Sequence, residues 1–155
     1  MNFDDTTEEA QFRAQAQEFL SANATLKADS APRQESLEQH IERARAWQAL
    51  TADHGWACLN YPAEYGGRGA SPMERIIWGQ EEACYDVPTG VYAIGLGMCG
   101  PTMIAYASEE HKQERVPRMV SGEDIWCQLF SEPGNGSDLA GLSTKAELIQ
   151  GHWII

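Results

Sequence analysis

The feature that most constrains this chain is a change of period near residue 122. Up to that point apolar residues recur at the three- and four-residue spacing of helices. Beyond it come a β-prone run, a polar glycine turn and two short strand-like segments. The chain therefore reads as about 120 residues of helix followed by the opening strands of a sheet.

The helical part is well punctuated. Thr6-x-x-Glu9 is a capping box, and Phe12, Ala16, Phe19 and Leu20 follow at helical spacing. A polar stretch through Pro32 ends that helix. Ser36-x-x-Gln39 opens a second, with Leu37, Ile41, Ala44, Trp47 and Leu50 on or near one face, and Gly55 closes it. Residues 56–70, with Gly66, Gly67, Gly69 and Pro62, read as a loop. Ser71, Pro72 and Glu74 start a third helix that carries Met73, Ile76, Ile77, Gln80 and Cys84 and stops before Pro88. Residues 89–107 are apolar and contain Gly90, Gly95, Gly97 and Gly100. They read as a buried helix interrupted at Gly100-Pro101, with the glycines admitting either a neighbouring helix or a ligand. Ser108 begins a short charged helix, and Pro117 begins a last turn that closes at Gly122.

Residues 125–130 are β-prone, 131–138 form a polar turn, and 143–149 with 152–155 read as a hairpin around Gln150-Gly151. The chain has 155 residues, enough to bury about 70% of its unfolded surface without disulfides or metal. Its net charge of −12 disfavours nucleic acid and anionic membranes as partners, since both repel it. No run reaches the roughly 18 apolar residues of a spanning helix, and the acidic start at residues 1–5 lacks the pattern of a secretory signal. Cys58, Cys84, Cys99 and Cys127 form no Cys-x-x-Cys, so free and mostly buried thiols in a reducing, cytoplasmic setting are expected. The histidines are scattered, and no metal site is expected.

The loop 131–138 is the best place for chemistry. It brings Ser131, Ser137, two carboxylates and two glycines into eight residues, and glycine backbone can approach phosphate oxygens closely. Taken alone, the same pattern also fits an ordinary Pro-Gly turn. Gly66-Gly67-Arg68-Gly69 is not a phosphate loop, because no Gly-Lys-Ser/Thr follows, and neither a Gly-x-Gly-x-x-Gly nor a Gly-x-Ser-x-Gly is present. Glu81-Glu82 reads as a solvated face or a buried ion partner.

The run Gln128-Leu-Phe-Ser-Glu-Pro-Gly-Asn-Gly-Ser-Asp-Leu-Ala-Gly-Leu (128–142), followed by Thr144-Lys-Ala, resembles the flavin-site signature of the acyl-CoA dehydrogenases. Gly55-Trp56, Pro62-Ala-Glu-Tyr-Gly-Gly-Arg-Gly (62–69), Pro101, Glu109-Glu110-His-Lys112 and Pro117-Arg-Met-Val-Ser-Gly (117–122) fall in the family's order. The resemblance implies a mostly α fold: an acyl-CoA dehydrogenase-like helical N-terminal domain (1–122), then the first strands of a β-barrel-like middle domain (123–155). It implies FAD as cofactor, an acyl-CoA substrate, an electron-transfer flavoprotein as acceptor of the full enzyme, and a homo- or hetero-oligomer. Gln128, Phe130 and Ser131 would line the flavin ring, with the Ser131 hydroxyl at its N5/O4 edge. Gly136 and Ser137 would sit at the FAD pyrophosphate and the acyl-CoA, and residues 89–100 would form part of the acyl pocket. Members continue past the position of Ile155 into the rest of the middle domain and a helical bundle that carries a glutamate base. The resemblance thus implies a truncated portion, less than half of a member, with no catalytic residue of its own and no activity alone. The competing readings are a non-catalytic interaction module pairing through the free edges of its hairpin, and one subunit of a hetero-oligomeric acyl-CoA dehydrogenase.

Overall fold

The computed structural model describes residues 4–155. Part of the acidic start, residues 1–3, lies outside the described residues. Five α-helices come first: α1 (Thr7–Asn23), α2 (Leu37–Asp53), α3 (Pro72–Glu82), α4 (Gly100–Tyr106) and α5 (Glu109–Ser121). Two strands follow, β1 (Glu147–Ile149) and β2 (His152–Ile154), paired antiparallel with Leu148 opposite Trp153.

The first three helices begin where their capping boxes place them. Thr6, Ser36 and Ser71 each accept from the backbone N–H three residues on, while Glu9, Gln39 and Glu74 reach back to the cap. Each exchange satisfies two N-terminal donors that have no partner inside the helix. Gly55 and Gly122 take left-handed φ values of 71° and 83° just after α2 and α5, which only glycine adopts without a Cβ penalty.

Helices α1 and α3 enclose one core cluster with the loop that follows α2. Phe12, Ala16, Phe19 and Leu20 of α1 are all buried and meet Trp56, Leu59, Ile77, Trp78 and Tyr85. Trp56 stacks on Trp78 with ring centroids 4.7 Å apart, and the Arg68 guanidinium covers the Trp56 ring at 3.9 Å. Burying each of Leu20 and Ile77 is worth about 1.5–3 kcal/mol. A second cluster joins Cys58 and Tyr61 to Val116 and Val120 of α5. Tyr61 is its pin. Its hydroxyl donates to the Leu96 carbonyl at 2.7 Å, and a Cβ on Gly100 would lie 2.0 Å from that hydroxyl oxygen.

Several local expectations change. Gly100-Pro101 does not break the helix: α4 starts there, and the irregularity lies one turn earlier in a π-helical turn, Gly95–Cys99. Gly100 is required by Tyr61, not by a chain break. Pro117 lies inside α5, which runs through it because Val116, Met119 and Val120 anchor the helix on both sides. On α2, Leu37 is exposed, Ala44 is buried as expected with Trp47 and Leu50 packed partly buried against the core, and Gln48 and Thr51 join the buried stripe. Residues 125–130 have no ladder partner and belong to no strand. Only Cys58 among the thiols is buried, with burial pushing it up to about 12, while Cys84 and Cys127 are exposed. All four thiols are free.

Candidate functional site

The segment after α5 leaves the helical body under several restraints. Arg118 forms a two-pronged pair with Asp124 (2.8 and 3.0 Å), and Arg45 of α2 donates to the Glu123 carbonyl at 2.8 Å. Trp126 packs over the π-helical turn, its Cβ 3.3 Å from where a Gly95 Cβ would stand. The chain that reaches Gln128, Phe130 and Ser131 is thus fixed at its root.

Beyond Ser131 the chain folds back on itself. Glu132 and Asn135 exchange backbone hydrogen bonds of 2.9 and 3.0 Å around Pro133-Gly134. The Asn135 amide donates across the loop to the Gly141 carbonyl, and a 3-10 turn, Leu139–Gly141, returns the chain. The Glu132 carboxylate then takes four donors: the backbone N–H and hydroxyl of Ser143 and the backbone N–H and hydroxyl of Thr144. Those donors, Thr144 first, hold its carboxyl down at about 2.

The five expected flavin-site residues fall in one exposed segment. Phe130 leaves 54% of its surface open, and Gln128, Ser131, Gly136 and Ser137 are exposed. The Ser131 and Ser137 hydroxyls take no hydrogen-bond partner among the described residues, and a Cβ on Gly134 or Gly136 would meet nothing within 4 Å. Gly141 differs: a Cβ there would meet Asn135 Oδ1 at 2.8 Å and Asp138 Oδ2 at 2.9 Å. The space beside Gly141 is therefore closed by the loop's own side chains, while Gly134, Gly136, the Ser131 and Ser137 hydroxyls and the Phe130 ring are left open. That inventory fits a flavin dinucleotide, which needs a flat apolar contact and donors for a pyrophosphate.

A second feature lies in the helical body. A cleft of about 320 Å³ runs between Trp47 and Thr51 of α2, Trp78 and Glu82 of α3, and the wall that carries Tyr92 and Leu96. Burial pushes the Glu82 carboxyl up, against the indoles of Trp47 and Trp78, which favour its charged form. Glu81, its neighbour, pairs with Arg13 of α1 at 2.7 Å. The two adjacent carboxylates thus split into an ion partner and a half-buried acid. Sequence reasoning passed over two groups here. The clamp role of Glu132 depends on residues eleven and twelve positions away, and Tyr61 lies in a loop without periodicity. No helix among the described residues is long and apolar enough to cross a membrane, and no cluster of metal-ligating side chains occurs among them.

Known proteins share this arrangement. The acyl-CoA dehydrogenase N-terminal domain profile matches residues 6–123. Acyl-CoA dehydrogenase IpdE1 of Mycobacterium tuberculosis is 39% identical over 150 residues, covering 94% of this chain and 38% of that protein. The crystal structure of the ChsE4-ChsE5 complex from Mycobacterium tuberculosis superposes with a TM-score of 0.71 at 30% identity, over 94% of this chain and 36% of its own. A Tcur3481-Tcur3483 steroid acyl-CoA dehydrogenase gives 0.69 at 28% identity, over 94% of this chain and 37% of its own. The chain thus spans well under half the length of the relatives it matches. By the match of its helical body and its similarity to these proteins, the chain belongs to the acyl-CoA dehydrogenase family.

Proposed function

We propose that the chain forms the N-terminal portion of a flavin-dependent enzyme that introduces an α,β double bond into an acyl-CoA thioester. Residues 1–122 form its helical domain and 123–155 the start of its β-sheet domain. The observation that carries this reading is the loop 131–142, which presents free hydroxyls and open glycine backbone in a chain of this family. When bound, FAD supplies the acceptor for the hydride that leaves the β-carbon. Gln128 and Phe130 would line its ring, and the Ser131 hydroxyl would donate to the ring edge, a bond that favours added electron density there. Gly136 and Ser137 offer backbone N–H and hydroxyl donors to the pyrophosphate and to the acyl-CoA. Residues 89–100 would form part of the acyl pocket, and an electron-transfer flavoprotein in the cytoplasm would take the electrons onward.

No residue of these 155 matches the family's glutamate base, so the chain by itself is expected to be inactive. Flavin absorbance and dye-linked acyl-CoA oxidation by the purified chain test this. Absence of turnover is the expected outcome, and turnover by the chain alone would overturn it. A second reading, one subunit of a hetero-oligomer, is favoured by the similarity to the ChsE4-ChsE5 complex and by the exposed apolar hairpin residues Leu148, Trp153 and Ile154. Mass by size exclusion, with the chain alone and mixed with a co-purified partner, separates the two.

A further inference from the structure

We propose that Glu132 is a positioning residue that latches the loop 133–142 shut and so presets Gly136 and Ser137 for an anionic ligand; this rests on the flavin-site reading above. Among the described residues, its carboxylate is the one group that joins both ends of the loop. It sits at the loop's entrance, next to Ser131, and takes all four donors of Ser143 and Thr144 at its exit. Closing a segment of that length costs chain entropy, which an open loop would have to lose at the moment of binding. Inside the closed loop, Asn135 donates to the Gly141 carbonyl, and the space beside Gly141 is filled by Asn135 and Asp138. Loop and latch are therefore one unit, and Gly134 and Gly136 are left facing open space.

The latch carboxylate stays charged. Here both oxygens are committed to donors at the base of the loop, as short charge-assisted hydrogen bonds. Those donors hold its carboxyl low, so Glu132 is an ionised anchor at neutral pH.

The test uses the full chain and hydrogen exchange at the bonded amides of the latch and loop, Asn135, Gly141, Leu142, Ser143 and Thr144. In Glu132→Gln the amide nitrogen faces donors, so exchange of these amides is expected to accelerate at least tenfold, with exchange in α1–α5 and the melting temperature unchanged. Ser143→Ala with Thr144→Val removes the two hydroxyl donors from the other side and should also accelerate exchange. Combining all three substitutions should add little beyond Glu132→Gln alone. Unchanged exchange in Glu132→Gln, or strictly additive effects, would overturn the latch. FAD titration followed by quenching of flavin fluorescence is the second arm. Weaker binding by Glu132→Gln, by tenfold or more, supports the coupling of latch to ligand. Equal FAD affinity in both forms, with accelerated exchange, overturns that coupling. Absence of FAD binding by the unaltered chain, with accelerated exchange in the variant, sinks the flavin reading while the latch stands.

Discussion

The helical body and the segment after residue 122 are held together in opposite ways. In the body, side chains from distant parts of the sequence close over one another: Leu20, Ile77, Val116 and Met119 are almost wholly buried, and four aromatic rings of α1, α3 and the loop after α2 interlock. In the segment, every residue from 136 to 155 is exposed, and its order comes from polar groups close in sequence, the Glu132 latch and the Asn135 cross-tie. Apolar packing fixes a shape and leaves little free to bind. Polar self-bonding fixes a shape while leaving an outer face open. The residues with most chemistry sit in the second kind of structure, placed by the first through Trp126 and Arg118.

The sharpest way to break this contrast is to cut into the body. Leu20→Ala is expected to cost about 2–5 kcal/mol, because Leu20 is fully buried and the cavity it leaves has rigid walls. Urea denaturation followed by tryptophan fluorescence measures it. Gly67→Ala comes next, at about 1–3 kcal/mol by overpacking, since its Cβ would stand 1.9 Å from the Tyr61 carbonyl oxygen. Gly136→Ala, whose Cβ meets nothing, should leave the same denaturation curve in place.

A pH series probes Glu82, the acid of the body whose carboxyl burial pushes up. Glu82 is raised in the folded chain, so ionising it opposes folding. Stability from this group is greatest when it is protonated in both states, below its unfolded value near 4.5, and falls as pH rises towards the folded value. Glu82→Gln is therefore expected to melt higher than the unaltered chain at pH 7, and the gap should narrow as pH falls to 4.5. A constant gap in thermal melts across that range would show that burial of the charge is not the cause. The smallest effect is expected in the hairpin: Leu148→Ala, 60% exposed, should change stability by under about 0.5 kcal/mol.

What was legible in the sequence follows from the range of the forces involved. The starts of α1, α2 and α3 were readable because a capping box is written within four residues. The Gln150-Gly151 hairpin was readable for the same reason, and both residues take positive φ as the turn requires. Features set by distant partners were not. Local rules stop a helix at Pro117, but the burial of Val116, Met119 and Val120 carries α5 past it. Gly100-Pro101 looked like a break because Tyr61, far away in sequence, was not known to need the space. The strand expected at 125–130 stays unpaired because β-propensity needs a neighbouring strand to be realised. For the candidate site, the residues of the loop were readable as a set, and the split of labour within it was not. Glu132 looked equivalent to Asp138 until the structure showed which carboxylate meets Ser143 and Thr144.

The seat of Tyr61 has a consequence for how this sequence can drift. Its hydroxyl end excludes a side chain at Gly100, and its carbonyl oxygen excludes one at Gly67. These two prohibitions are inherited differently. In a homologue where position 61 carries a smaller side chain, position 100 loses its severest clash and keeps only the flexible Met119 sulfur at 3.1 Å, so those two sites should vary together. Position 67 faces main chain that every residue possesses, and no exchange at 61 releases it.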